Sequence, residues 1–173
     1  MFGSGNDLLE VLKALNNYGI KFVICGGVAC VLQGVERATF DIDISVSFEE
    51  DNLERIIKLA EELKLSPRIP EPINNLKLEV RRKDWFEKKG ALVYTLNFQD
   101  SPIQLDIFLS YPYSYEELKH RADKIKIDEF EFLISSKEDL LFVKKLISPI
   151  RLKDKIDIEE LEKLLEDENK SRK

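Results

Sequence analysis

Residues Phe22 to Val46 read FVICGGVACVLQGVERATFDIDISV, and this stretch decides the fold. The short apolar run from Lys21 to Cys25 is rich in β-formers and predicts a strand. Gly26 and Gly27 break it, and Val28 to Gln33 predicts a short helix that Gly34 ends. Val35 to Thr39 is a loop holding Arg37 and Thr39. Phe40 to Val46 alternates apolar and polar residues and predicts a second strand.

Outward from this unit, Asn6 can cap a first helix to about Tyr18, with Leu8, Leu9, Leu12 and Leu15 at helical spacing. Ser47 and Glu50 have the spacing of a capping box for a helix to about Leu63. Pro67, Pro70 and Pro72 mark a loop. The basic segment from Leu76 to Lys89 has no clear period; its Trp85 and Phe86 suit an aromatic anchor or, as the less favoured reading, a base-stacking surface. Ala91 to Phe98 and Ile103 to Leu109 predict strands joined as a hairpin through Gln99–Pro102. A helix at Tyr115 to Ala122, short strands at Lys124 to Ile127 and Phe130 to Ile134, and helices at Ser136 to Ile147 and Lys153 to Glu166 complete the chain. Helices alternate with strands, yet one strand pair turns tightly. The expected class is α/β (α+β), a mixed sheet with helices packed mainly on one side.

The chain has 173 residues, a length that suits one domain (1–173) with its own core. Hydrophobic residues make up 43% and charged residues 35%, which excludes a disordered chain. The net charge of −6 argues against non-specific nucleic-acid binding, so strong DNA binding is not expected. Cys25 and Cys30 have neither zinc-site nor disulfide-scaffold spacing and suit small buried positions. No apolar run is long enough for a membrane span and no signal-peptide pattern opens the chain, so a cytoplasmic protein is expected.

Alternation along a strand puts Asp41 and Asp43 on one face and Ile42 and Ile44 on the other. The same rule sets Gln104, Asp106 and Phe108 opposite Ile103, Leu105, Ile107 and Leu109. If these strands are neighbours, Asp106 approaches the other two. Carboxylates about 5 Å apart at an effective dielectric of about 20 repel by roughly 3 kcal/mol per pair. Raised pKa values, nearby cations or a divalent metal must offset this. Oxygen ligands suit Mg²⁺ or Mn²⁺. A half-buried strand also alternates without any site. Asp, however, is disfavoured in strands, and a diglycine turn, which lets a phosphate approach the backbone, precedes this pair. Together these point to chemistry on a nucleoside triphosphate.

An apolar residue before Gly-Gly (Cys25, Gly26, Gly27), a thirteen-residue spacer and then Asp41-Ile42-Asp43-Ile44 resemble the nucleotidyltransferase superfamily with the polymerase-β-like catalytic fold. Leu105-Asp106-Ile107 matches the position of that family's third carboxylate. Arg37, Thr39 and the later Glu138-Asp139-Leu140-Leu141, Lys144, Arg151, Lys153-Asp154 and Asp157 are similar to small prokaryotic members of the abortive-infection-toxin kind. The resemblance implies a catalytic core at about 18–110 and supporting C-terminal helices at about 136–167. It implies metal-dependent transfer of a nucleoside monophosphate from an NTP to a hydroxyl. Asp41, Asp43 and Asp106 would be catalytic and metal-holding; Gly26, Gly27, Arg37 and Lys144 would bind the nucleotide. The acceptor is left open among small molecule, RNA and protein, with an antitoxin as a further partner. A catalytically silent nucleotide-binding module is the competing reading. His120 stands in a charged helical segment and is not expected to act.

Overall fold

A computed structural model describes residues 7–172. Asn6, the expected first cap, lies outside the described residues. The helix it would precede, α1 (Asp7–Asn17), buries Val11, Leu12 and Leu15, and the left-handed Gly19 (φ +66°) turns the chain into β1 (Phe22–Cys25). Next come α2 (Gly26–Leu32), β2 (Asp41–Val46), α3 (Glu50–Glu62) and β3 (Ser66–Pro67). A 3-10 turn (Ile73–Lys77) leads into α4 (Glu79–Glu87), β4 (Val93–Asn97) and β5 (Gln104–Phe108). The remainder is α5 (Tyr115–Arg121), β6 (Asp123–Ile127), β7 (Phe130–Ile134), α6 (Lys137–Lys145) and α7 (Leu152–Ser171).

The strands form one mixed sheet in the order β3-β4-β5-β2-β1-β7-β6. β2 runs parallel to β5 and β1 parallel to β7; the other neighbours are antiparallel. Ile24, Ile42, Ile44, Leu96, Leu105 and Ile107 share one face and are fully buried there beneath side chains of α1 and α3. Each such burial is worth about 1.5–3 kcal/mol. The opposite face is covered over Val23 and Cys25 by Leu118 of α5. The predicted class therefore holds, with helices mainly on one side.

Local departures have local causes. The two glycines are the first turn of α2 rather than a loop before it. The Ser47–Glu50 capping box does not form: α3 starts behind Glu49 with no side-chain cap. Buried Asn52 ties that corner together, accepting from Lys21 N–H (2.7 Å) and donating to the Ser47 carbonyl (2.7 Å). Ser136, by contrast, does cap α6, accepting from Asp139 N–H. Within the proline loop, Ser66–Pro67 pairs with β4 at the sheet edge, the place where a proline costs no ladder bond. No helix among the described residues is long and apolar enough to cross a membrane.

Candidate active site

The site begins with strand register. Asp43 stands beside Asp106 on parallel β2 and β5, and Asp41 stands beside Gln104. The row continues outward from Asp106 to Thr95 on β4 and from Asp43 to Cys25 on β1. The three carboxylates thus reach the sheet face that the main core leaves free, where they line one cavity of about 1010 Å³. Gly26, Gly27, Arg37 and Lys144 line the same cavity. Every residue expected from the sequence to serve the site is therefore gathered there.

Asp43 is seated by the glycine turn. A Cβ on Gly26 would fall 2.0 Å from Asp43 Oδ2, and Gly26 holds φ +58°. No L side chain fits that position without displacing the carboxylate. The Gly27 N–H donates to Asp43. Above Gly27 lie the Thr39 hydroxyl and the Arg37 guanidinium, 2.9 and 3.2 Å from where its Cβ would stand. Thr39 thus closes the turn against the site.

Burial, followed by the charges of Asp106 and Asp41, pushes the Asp43 carboxyl up to about 7. Burial and Asp41 raise Asp106 as well, opposed by a hydrogen bond from the Thr95 hydroxyl and by the charge of Arg68. These acids repel one another as their spacing requires. Among the described residues, however, no three His, Cys, Asp or Glu side chains converge closely enough to form a ready three-donor metal cluster.

Lys144, Arg37 and Arg151, which line the same cavity, are held in ion pairs. Lys144 lies 2.9 Å from Asp154 and 2.8 Å from Asp157, and Arg37 lies 2.7 Å from Asp157. Arg151 lies 2.6 Å from Asp154. Burial opposes the charge on Asp154, yet hydrogen bonds from Arg151 and Lys144 hold its carboxyl down to about 2.

Two aromatic side chains expected to act alike do not. Trp85 is 1% exposed and stacks on Tyr94 with ring centroids 5.2 Å apart, so it is a core anchor and cannot stack on a base. Phe86 is exposed and forms the cavity wall with Leu92, Val93 and Phe108. The basic segment around them is largely neutralised: Lys77, Lys83, Lys88 and Lys89 pair with Glu54, Glu79, Asp84 and Glu71. It therefore offers little free charge to a phosphate backbone. His120 is exposed on α5. Thr95 was missed in the sequence, although a hairpin folded about Asp100 and Ser101 already places it opposite Asp106. Tyr111, also missed, lines the cavity and is packed 4.3 Å from Phe108. It lies in a loop with no period to flag it.

Solved structures share this architecture. A lincomycin-bound crystal structure of the lincosamide antibiotic adenylyltransferase LnuA matches with a TM-score of 0.62 at 14% identity, covering 95% of this chain and 99% of that one. ANT(2'')-Ia in complex with adenylyl-2''-tobramycin matches at 0.54 and 15% identity, covering 91% of each chain. An antigenic nucleotidyltransferase-like protein from Paracoccidioides brasiliensis matches at 0.52 and 16%, covering 89% of this chain and 73% of that one. At these identities the likeness is one of fold, and the fold is that of nucleotidyltransferases. Among curated proteins no sequence matches this chain. The profile of the AbiEii family, nucleotidyl transferase toxins of type IV toxin–antitoxin systems, matches residues 7–171, and the chain belongs to that family.

Proposed function

We propose that this chain transfers a nucleoside monophosphate from an NTP to an acceptor hydroxyl and releases pyrophosphate. The observation that carries the reading is the row of Asp43 and Asp106 on adjacent parallel strands, with Asp41 on the same face, opening into the cavity that the glycine turn floors. The donor set fits a hard divalent cation. Burial and neighbouring carboxylates raise Asp43 and Asp106, which leaves negative charge for a cation to offset, and Mg²⁺ sites use one or two carboxylates completed by substrate phosphates. Asp41 and Asp43, with Asp106, would hold Mg²⁺ or Mn²⁺, which when bound supplies neutralising charge to the triphosphate and its leaving group.

The chain's own residues do the rest. Gly26 and Gly27 leave room for phosphates against the backbone. Arg37 and Lys144 bring positive charge to the same cavity. Asp106, which accepts a hydrogen bond from the Thr95 hydroxyl, would take the proton from the acceptor hydroxyl. The oxygen so exposed bonds to the α-phosphorus as the bond to the pyrophosphate oxygen breaks, in line. Phe86, Leu92, Val93 and Phe108 line the same cavity and would bound the acceptor.

The family match also supports a toxin role within a toxin–antitoxin pair, which uses the same chemistry and differs in acceptor. Incubation of purified protein with α-labelled NTPs, Mg²⁺ and fractionated cell extract tests both readings. Label is expected to move to an acceptor with stoichiometric pyrophosphate release, and the labelled fraction identifies small molecule, RNA or protein. Replacing Asp41 and Asp43 together by Asn should cut the rate about a thousandfold or more. Undiminished transfer by that double variant contradicts the reading.

A further inference from the structure

Asp157 is fully buried, yet its two oxygens are used unequally. Oδ2 accepts from Arg37 Nη1 at 2.7 Å and from Lys144 Nζ at 2.8 Å. Oδ1 is buried with no hydrogen-bond partner among the described residues. Arg37 comes from the loop between α2 and β2, Lys144 from the last turn of α6, and Asp157 from the second turn of α7. Asp154, one turn earlier on the same face of α7, takes the second contact of Lys144 and the side chain of Arg151. Five charged groups from three segments therefore interlock beside the glycine turn.

Such a cluster is a poor device for stability. Desolvating buried ions costs several kcal/mol each, and well-packed apolar residues often replace them without loss. The cluster's presence here therefore requires a reason other than stability. The reason lies in where the two cations point. Arg37 and Lys144 both line the cavity, and the Arg37 guanidinium covers Gly27. Both are long, flexible side chains that lose affinity for a ligand if they must be ordered on binding. A single oxygen that grips both fixes them before any ligand arrives.

We infer that Asp157 is a positioning residue for triphosphate recognition: it touches no substrate, and it holds Arg37 and Lys144 as one preordered pair over the glycine turn. This rests on the reading of the cavity as an NTP site. It goes further in assigning the pair a shared anchor and in limiting that anchor's effect to ligands whose phosphate chain reaches both cations.

The test is calorimetric titration of the full chain with ATP, GTP, CTP and UTP, and with the corresponding monophosphates, in the presence of Mg²⁺. Asp157→Asn, which keeps the shape and removes the charge, should weaken the preferred triphosphate about tenfold or more while changing the monophosphate by less than about twofold. In the Arg37→Ala, Lys144→Ala background, Asp157→Asn should change nothing further. A merely structural role would weaken both ligands alike and would persist in that background; either result overturns the inference. If Asp157→Asn does not fold, the two cations give the answer without it. Arg37→Ala and Lys144→Ala, tied to one oxygen, should be non-additive, the double variant losing clearly less than the product of the single losses. Additive losses overturn the inference. A wild-type chain that binds no triphosphate removes the NTP reading together with this one. A wild type that binds while Asp157→Asn binds equally well removes this one alone.

Discussion

Asp43 and Gly26 are one unit at the residue scale. Gly26→Ala places a methyl 2.0 Å from the Asp43 carboxylate on a backbone at φ +58°. The expected cost is about 2–3 kcal/mol, with loss of transfer, because strain and displacement act together. Gly27→Ala meets the Thr39 hydroxyl and the Arg37 guanidinium, side-chain ends that must give by a few tenths of an ångström. It should stay within about 1 kcal/mol of wild type and lose nucleotide affinity instead. Urea denaturation and calorimetry separate the two outcomes. Asp43 also sets a pH dependence. Its folded pKa, raised to about 7 by burial and by Asp106 and Asp41, lies above the unfolded value. The folded chain therefore holds a proton that the unfolded chain releases across the window from about 4 to 7. Stability from this group is full below that window and is lost as pH rises through it, by an amount on the order of 4 kcal/mol. The melting temperature of metal-free protein should fall between pH 5 and pH 8, and Asp43→Asn should flatten the fall. An unchanged slope in the variant rejects Asp43 as its source. The carboxylates were legible because alternation puts Asp41 and Asp43 on one face without any knowledge of tertiary structure. The grip of Asp157 on Arg37 was not, since nothing local links residues 120 positions apart in sequence.

Elements were legible in proportion to their periodicity. β2 and β5 alternate cleanly and sit close to where the pattern places them. The segment from Leu76 to Lys89 hid a 3-10 turn and a helix, because Trp85 is the only fully buried side chain that α4 contributes. One anchor makes no period. That anchor gives a sharp test. Trp85→Ala should cost about 3–5 kcal/mol by opening a cavity against Tyr94. Phe86→Ala, on the exposed cavity wall, should leave stability within about 0.5 kcal/mol. Urea unfolding of both variants checks the pair. Equal effects would mean that Trp85 is not the core residue its burial indicates. The capping box at Ser47 misled because the helix starts two residues later, behind Glu49, and the Ser47 hydroxyl accepts from the Glu49 N–H instead.

Across the whole molecule, the sheet extends beyond the stretch that carries the carboxylates. β7 lies parallel to β1 with Ile24 beside Ile134, so β1 is a central strand and not an edge. Such pairing between distant strands leaves no mark in the local sequence. A chain ending at residue 110 would expose β1 and lack α6 and α7, which carry Lys144, Asp154 and Asp157. It should show no cooperative unfolding transition by circular dichroism; a sharp transition would show that the first 110 residues fold alone. The central claim is that the acids of β2 and β5 and the glycine turn together receive a metal-bound triphosphate. The most direct measurement is a crystal structure with Mn²⁺ and a non-hydrolysable NTP, with the metal located by its anomalous signal. The expected result is Mn²⁺ on Asp41 and Asp43, with the phosphates against Gly26 and Gly27 and within reach of Arg37 and Lys144. Metal and nucleotide bound elsewhere on the chain, with these carboxylates untouched, would contradict it.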